Sequence, residues 1–283
     1  MQDAFAHCEA LVRGADKDRF LATLFAPATD RGALFALYAF NSEIARVREL
    51  VREPLAGEIR LQWWRDALSG VDHGDAEANP VAAALLATVA RARLPVPALL
   101  DLIEAHRFDL YNEPMASSAE FEAYAGNTAA TLIELAAQIL NAGQDPNVRT
   151  LARHAGLAHA LAGFLKALPV HAARGQLYLP LDVLQRHGVS PDDLAGGRAT
   201  AELRAALMEL RVRARRQLAA AGDLLPAAPP TVLPALLPVA LVRPALDRMD
   251  RADYDPFAPL ELPQWRRQWR LWRAARRGLA RAF

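Results

Sequence analysis

The sequence predicts an all-α protein. Residues that favour helices dominate the 283-residue chain, chiefly Ala, Leu, Arg and Glu, and its apolar residues recur at three- and four-residue steps. No segment sustains the alternation of apolar and polar residues, rich in β-branched types, that marks a strand. With 53% hydrophobic and 23% charged residues, the chain can bury one large core, so we expect a single domain over residues 1–283.

The first half of the chain divides into helices at polar or proline-containing turns. We expect Asp3 to cap a helix that stops near Gly14. Thr29 or Asp30 is expected to cap a long helix that runs to about Arg52, before a proline. The other helices predicted here cover residues 20–25, 58–68, 80–92, 97–111 and 118–140.

The second half begins after a predicted break at residues 143–146. A buried helix should cover residues 151–168, and we expect Pro169 to kink or end it, because proline lacks a backbone N–H and its ring clashes with the preceding turn. Residues 224–242 carry no charge, but their five prolines argue against a membrane span and favour a loop that enters a buried helix. The remaining predicted helices cover residues 201–221 and 233–249, and Pro263 starts the last one.

Charge is distributed unevenly along the chain. The formal net charge is +1, yet residues 264–283 hold seven arginines and no acid, which leaves a basic arm on an acidic body. The acidic N-terminal segment lacks an apolar stretch, so we expect neither a signal peptide nor a transit peptide, and no transmembrane helix. The protein is therefore expected to be cytoplasmic, and peripheral contact with the inner membrane is left open. One cysteine, Cys8, excludes an internal disulfide and is expected to pack in the first helix.

Five short motifs follow one another in a characteristic order. They are LFALYAF at 34–40, WWRDAL at 63–68, YAGNTAATL at 124–132, RGQLYLP at 174–180 and YDPF at 254–257. In this order they resemble the squalene and phytoene synthase family, which joins two isoprenyl diphosphates head to head. The resemblance covers nearly the whole chain, and it implies the isoprenoid-synthase fold, a helical bundle around a central cavity.

The chain departs from this family at both acidic motifs, which in the family hold magnesium on a diphosphate. The resemblance aligns the first motif with Ala45, Arg46 and Glu49, and the second with Ala167 and His171. Magnesium requires oxygen ligands, and of these five side chains only Glu49 offers a carboxylate. We therefore expect no metal and no cofactor, and we name no catalytic residue.

One branch of the family shares these departures. The patterns at 39–43, 124–128 and 165–171 are similar to phytoene-synthase-like proteins that assist assembly of respiratory complex I, the NADH dehydrogenase, and the chain is typical of a bacterial relative. The resemblance implies a non-catalytic protein that binds a respiratory-complex subunit or assembly protein. Two alternatives stay open: a magnesium-dependent transferase that makes squalene or phytoene, and a protein that binds an apolar lipid or quinone.

Seven residues are candidates for binding an anionic or other ligand. One group gathers cationic and hydrogen-bonding side chains where the buried helix is expected to end, although these groups would equally cap that helix and pair with carboxylates. The other group lies on the long helix, where Tyr38 and Asn41 share a face with Leu34, Ala45 and Glu49. The full set is Arg31, Tyr38, Asn41, Lys166, His171, Arg174 and Tyr178.

The C-terminal helix is a candidate surface for a membrane or an acidic partner. It combines an aromatic stripe with many arginines, as interfacial helices do. The competing interpretation, which we prefer from sequence, is that the tryptophans close the bundle and the arginines face the acidic body. No recognition module for nucleic acid is visible. The candidate residues are Trp265, Trp269, Trp272, Arg266, Arg270 and Arg273.

A metal site is a weaker hypothesis. His106, Asp109 and Glu113 would share a helix face and offer ligands, but such spacings are common by chance, and we prefer to interpret them as a solvated face. His154 and His159 are five residues apart and do not converge, so we assign no metal to them.

Overall fold

The computed structural model describes residues 1–71, 76, 78–260 and 262–283, and it confirms the all-α prediction, since no strand occurs in this part of the chain. The α-helices, numbered in chain order, are α1 Gln2–Ala15, α2 Lys17–Thr23, α3 Ala28–Ala45, α4 Val47–Leu50, α5 Pro54–Ser69, α6 Pro80–Ala92, α7 Val96–His106, α8 Ser118–Ala125, α9 Thr131–Leu140, α10 Arg149–Ala173, α11 Leu181–Arg186, α12 Pro191–Ala195, α13 Ala201–Leu224, α14 Leu233–Leu236, α15 Val242–Met249 and α16 Gln264–Arg277.

The chain divides into two compact units, and each unit consists of three separate segments. The first unit contains Met1–Tyr111, Thr131–Arg149 and Ala228–Pro238, and the second contains Asn112–Ala130, Thr150–Ala227 and Val239–Phe283. Because these segments interleave along the chain, no single position in the sequence separates the two units.

Helices α1, α3 and α6 pack against one another in the first unit. Residues 33–40 of α3 are all buried, so apolar contacts surround this helix on every side, as at the core of a protein. Cys8 of α1 is fully buried, which confirms that it packs inside the protein, and burial raises the pKa of its thiol to about 12.

The second unit is built around the 25-residue helix α10. Gly156 of α10 lies against the π-helical turn Gly126–Ala130, so closely that an added Cβ would be 2.5 Å from the backbone nitrogen of Ala130. His154 of α10 places its Nδ1 2.6 Å from Oε1 of Gln217 on α13, which links these two helices.

Several predicted helices are interrupted. The long helix expected to reach Arg52 ends at Ala45, because Arg46 leaves the helical conformation at φ −99° and ψ 1°, and the short α4 follows. The predicted common face of Leu34, Tyr38, Asn41, Ala45 and Glu49 therefore ends at Ala45.

Three further predicted helices also change type along their length. Residues 97–111 end in the 3₁₀ turn Arg107–Leu110. Residues 118–140 contain the π-helical turn, and residues 233–249 contain the 3₁₀ turn Leu237–Leu241. Hydrophobic periodicity does not distinguish these tighter or wider turns from a regular α-helix, because their apolar residues still recur every three to five positions.

Of the two outcomes predicted at Pro169, a kink or the end of the helix, the end is wrong. Helix α10 continues through Pro169 to Ala173. The fixed φ of proline, near −65°, is itself helical, so the proline removes one N–H donor while the rest of the α10 backbone keeps its helical conformation.

The predicted caps of α1 and α3 are also wrong. Asp3 lies inside the first turn of α1, and Pro27 precedes α3 without a side-chain hydrogen bond, so neither Thr29 nor Asp30 caps it. Elsewhere in the described chain, side chains cap helices by accepting hydrogen bonds from backbone N–H groups, among them those of Asp16, Asn79, Ser117, Ser190 and Thr200.

One apolar segment in the described chain, Pro230–Met249, is long enough to cross a membrane by length and composition, with a mean hydropathy of 1.2. In the folded protein, 67% of the most apolar 18-residue stretch of this segment is buried. This degree of burial is typical of the core helix of a globular protein, in line with the prediction that this stretch leads into a buried helix.

Candidate functional site

The residues that the resemblance assigns to the first acidic motif lie at an exposed corner after α3. Ala45, Arg46 and Glu49 are all exposed, and Nε of Arg46 lies 3.4 Å from Oε2 of Glu49. The carboxylate that remains at this motif is therefore paired with the arginine beside it. Ala45 offers no ligand at all.

A cavity of about 510 Å³ lies next to this corner in the first unit. Glu43, Arg46 and Arg60 bring charge to its wall, and Trp63 and Trp64 provide an aromatic side. Burial raises the pKa of the Glu43 carboxyl, an effect that the charges of His7 and Arg60 oppose. The sequence analysis did not select Glu43 or Arg60, although the WWRDAL motif of the family lies only a few residues after Arg60.

Arg31 is bound to the backbone of its own unit. Its Nε donates to the carbonyl oxygen of Ala26 at 3.0 Å, and its Nη2 donates to that of Leu24 at 2.9 Å. These two bonds satisfy carbonyl groups at the end of α2 and hold the turn before α3. The candidate ligand residue thus has a structural role in this turn.

Tyr38 is buried beneath an ion pair that the sequence analysis missed. The guanidinium carbon of Arg19 lies 5.6 Å from the centre of the Tyr38 ring, and Nη1 of Arg19 lies 2.6 Å from Oδ2 of Asp16. Burial raises the pKa of the Tyr38 hydroxyl to about 12, although the positive charge of Arg19 opposes this. The sequence did contain a signal for the Asp16–Arg19 ion pair, because an acid at the N-cap of a helix can pair with an arginine three residues later. Asn41, one turn further along α3, is half-buried.

His171, which the resemblance assigns to the second motif, belongs to an aromatic cluster in the second unit. His171 and Tyr178 are brought together, with 4.5 Å between their ring centres, and Phe164 stacks on Tyr178 at 4.8 Å. Tyr124 adds a fourth ring, 5.9 Å from Phe164. Ala167 is half-buried on the same helix. The imidazole of His171 is therefore packed among aromatic rings.

The segment after α10 fixes the position of Tyr178. Gly175 adopts φ +66°, a left-handed conformation that suits glycine, and Gln176 N then donates to the carbonyl oxygen of His171 at 2.9 Å. The backbone of Met115 accepts a bond from Leu181 N at 2.9 Å and donates one to the Leu177 oxygen at 3.0 Å. These bonds hold Tyr178 in a defined position.

Lys166 and Arg174 are both exposed near this turn. A separate cavity of about 330 Å³ lies beneath the turn and has mostly apolar walls, including Leu168, Leu177 and Leu194.

The prediction that His106, Asp109 and Glu113 form a solvated helix face is wrong. His106 and Asp109 are both buried, and Nδ1 of His106 lies 2.6 Å from Oδ2 of Asp109. The 3₁₀ turn after α7 carries Asp109 inward, while Glu113 is exposed in an irregular segment. Among the described residues, no group of three or more His, Cys, Asp or Glu side chains is spaced to hold a metal.

Magnesium, which the family implies, does not fit the side chains at the motif positions. Ala45 and Ala167 carry no donor atom, Glu49 is paired with Arg46, and His171 is a nitrogen donor packed on aromatic rings. We therefore derive no reaction step through a metal in this protein.

The tryptophans of α16 do not close the bundle, so the interpretation preferred from sequence is wrong. Trp265, Trp269 and Trp272 are 64%, 50% and 48% exposed, whereas Leu271 and Ala274 are buried. The reason is geometric, since at 100° per residue the tryptophans lie on the side of α16 roughly opposite these two apolar residues.

Comparison with known proteins agrees with the observed architecture. Residues 12–273 match the family model described as squalene/phytoene synthase. NADH dehydrogenase (ubiquinone) complex I, assembly factor 6, of Rattus norvegicus is 31% identical over 91% of this chain and 77% of its own length. A phytoene synthase of Arthrospira platensis is 26% identical over 94% of this chain and 90% of its own.

Among solved structures, the squalene synthase HpnC from Alicyclobacillus acidocaldarius superposes with a TM-score of 0.76. The two sequences are 24% identical, and the match covers 90% of this chain and 96% of the synthase. This likeness concerns the fold, and it confirms the isoprenoid-synthase fold that the motifs predict.

Proposed function

The chain belongs to the squalene/phytoene synthase family, and from this premise we propose that it acts without catalysis, by binding a protein partner during assembly of respiratory complex I. The partner would be a subunit of the complex or another assembly protein. Similarity to complex I assembly factor 6 over most of the chain supports this proposal.

The observation that carries the proposal is the state of Glu49. A transferase of this family would need the acid to face a magnesium–diphosphate complex, but Glu49 is exposed and paired with Arg46. A positive guanidinium beside the carboxylate repels a divalent cation and competes for the same oxygens.

The environment of His171 supports the same proposal. The resemblance gives this position to an acid of the second motif, and here an imidazole packs on Tyr178 and Phe164. Ring packing of this kind stabilises the turn after α10 and provides no oxygen ligand. The substitution therefore suits a structural role better than metal binding.

A direct assay separates this function from the transferase alternative. Purified protein is incubated with farnesyl or geranylgeranyl diphosphate, magnesium and NADPH, with a squalene synthase as the positive control. We expect no C30 or C40 product, because the ligands for the metal are lacking. Formation of either product would reject the proposal.

Genetic complementation tests the positive side of the proposal. Deletion of the gene in its native cell should lower the amount of assembled complex I on native gels, and the wild-type chain should restore it. The Glu49→Ala variant should restore assembly equally well, because the proposal gives this carboxylate no metal to bind. Complex I that assembles normally after the deletion would contradict the proposal.

A further inference from the structure

We propose that α16, together with the groove between α15 and α16, binds the surface of a membrane that contains anionic phospholipid. This inference is drawn from the second unit alone and does not rest on the function proposed above. The residues that carry it are the exposed tryptophans of α16 and a group of arginines on both helices.

The tryptophans form one continuous row. Trp265, Trp269 and Trp272 are spaced by four and three residues, which places them on one side of the helix. This side is roughly opposite the buried Leu271 and Ala274, so the row points into solvent along about half of a helix about 20 Å long. Large aromatic rings with a polar N–H prefer the boundary between lipid and water over either phase alone.

A basic groove runs beside this row. It has a volume of about 220 Å³, and its wall carries Arg243 from α15 together with Arg270, Arg273 and Arg277 from α16. Among the described residues of this wall, the one acid is Asp247, which already lies 2.9 Å from Nη2 of Arg215 on α13. Four guanidinium groups therefore share this groove, and the carboxylate described beside them is engaged with Arg215.

The described acids at the end of α15 pair with arginines of α13 and not with those of the groove. Asp250, the other acid at the end of α15, pairs with Arg211 at 2.7 Å and with Arg215 at 2.6 Å. In the part of the chain that the structure describes, no carboxylate lies within ion-pair distance of the four groove arginines. Guanidinium groups of this kind bind phosphate through paired hydrogen bonds, so the groove suits a phospholipid headgroup.

The two features lie side by side on one helix. The guanidinium carbons of Arg266 and Arg273 are 5.1 and 5.2 Å from the ring centres of Trp265 and Trp269. A bilayer surface has the same two components, a plane of phosphates and an apolar layer directly beneath it. Because this surface is continuous, it can contact the helix along its whole length. A continuous membrane surface therefore satisfies both the row of rings and the charges beside it.

The binding test uses the full chain and sedimentation with vesicles. Vesicles of phosphatidylcholine alone are compared with vesicles that also contain phosphatidylglycerol, at low and high salt. We expect binding only to the anionic vesicles, and weaker binding at high salt, because the phosphates attract the arginines through a screened interaction. Tryptophan emission should shift to shorter wavelength on binding, since the rings leave water.

The first variant tests the charges of the groove. The double variant Arg270→Gln, Arg273→Gln should lower the affinity for anionic vesicles by about 30-fold. This value follows if each arginine adds the roughly 1 kcal/mol of binding free energy that is typical of a basic residue near an anionic surface. The matched control is Arg153→Gln with Arg216→Gln, which removes the same charge from exposed positions on α10 and α13. The control should lose only a small part of the affinity.

The second variant tests the aromatic row. Trp269→Ala with Trp272→Ala should lower the affinity for anionic vesicles by roughly tenfold, because the apolar area that enters the interface is lost. The control is Met208→Ala with Val212→Ala, which removes exposed apolar side chains from α13 and should change the affinity little. Circular dichroism of every variant checks that the fold is retained.

The proposal would be overturned if wild-type protein bound neither kind of vesicle, or bound both equally. It would also be overturned if the control pairs lost as much affinity as the test pairs. Binding to an acidic protein or peptide without binding to anionic vesicles would show instead that the surface serves a protein partner.

Discussion

Arg46 and Glu49 illustrate, at the scale of the residue, how a neighbouring substitution changes the chemistry of a retained acid. Glu49 occupies a position that the family gives to a magnesium ligand, but its carboxylate lies beside Arg46 and is exposed. An exposed ion pair of this kind contributes about 0–1 kcal/mol to stability. Its bearing on function lies in the proposal above, in which the paired carboxylate of Glu49 does not bind a cation.

Gly156 supports a prediction at the same scale. A Cβ at this position would lie 2.5 Å from the nitrogen and 2.6 Å from the Cα of Ala130. Backbone atoms cannot move aside as a flexible side chain can, so Gly156→Ala should lower the free energy of unfolding by about 1–3 kcal/mol. The measurement is the midpoint of urea unfolding.

Gly163 provides the control on the same helix. Nothing lies within 4 Å of a Cβ added there, so Gly163→Ala should raise the free energy of unfolding by about 0.5–1 kcal/mol through helix propensity. If both variants moved the midpoint in the same direction, close packing at Gly156 would not be the cause.

The site was only partly predictable from single residues. The resemblance assigned Ala45, Glu49, Ala167 and His171 to the two acidic motifs, and this assignment stays a prediction. Nothing in the local sequence indicated that Arg31 would bind carbonyl groups at the end of α2, because that role depends on where the preceding turn lies in space.

Helix ends are the feature that the sequence predicted least well at the scale of the element. Pro169 lies within α10, while Arg46, which is no helix breaker by type, interrupts the helix that precedes α4. Helix α16 shows the complementary limit. Its tryptophan stripe was visible in the sequence, but the direction in which this stripe points was not.

The cap of α6 supports a prediction at this scale. Oδ1 of Asn79 accepts hydrogen bonds from the backbone N–H of Val81 at 2.9 Å and of Ala82 at 3.1 Å. Asn79→Ala leaves these two donors without that acceptor, and it should lower the free energy of unfolding by about 1 kcal/mol. Thermal or urea unfolding measures this change.

Thr29→Ala is the matched control for the cap. The sequence suggested Thr29 as a cap, but its exposed side chain makes no capping bond to α3. We expect a change within about 0.5 kcal/mol, as for other exposed positions. An equal loss in both variants would indicate a general effect of replacing polar residues near helix starts.

The whole molecule consists of two units whose segments alternate along the chain. Three of the boundaries fall within continuous helical backbone, between Ala130 and Thr131, between Arg149 and Thr150, and between Pro238 and Val239. Opening one unit by itself would therefore disturb helical turns that belong to both. A single domain remains our prediction for this chain.

Hydrogen exchange tests that prediction. Under conditions in which global unfolding limits exchange, peptides from α6 in the first unit and from α13 in the second should report the same opening free energy, within about 1 kcal/mol. Mass spectrometry of exchanged peptides, repeated at several urea concentrations, gives both values. A difference above about 2 kcal/mol, with different urea dependence, would show two independent domains.

The sequence by itself determined the helical class, the approximate position of most helices and the family. These properties depend on residue type and on spacing along the chain, both of which can be read locally. Only the tertiary structure decided that His106 and Asp109 form a buried pair, that His171 packs on Tyr178 and that the α16 tryptophans face solvent. The physical reason is that hydrophobic periodicity shows which residues share one face of a helix. Whether that face is buried depends on segments from distant parts of the chain that pack against it.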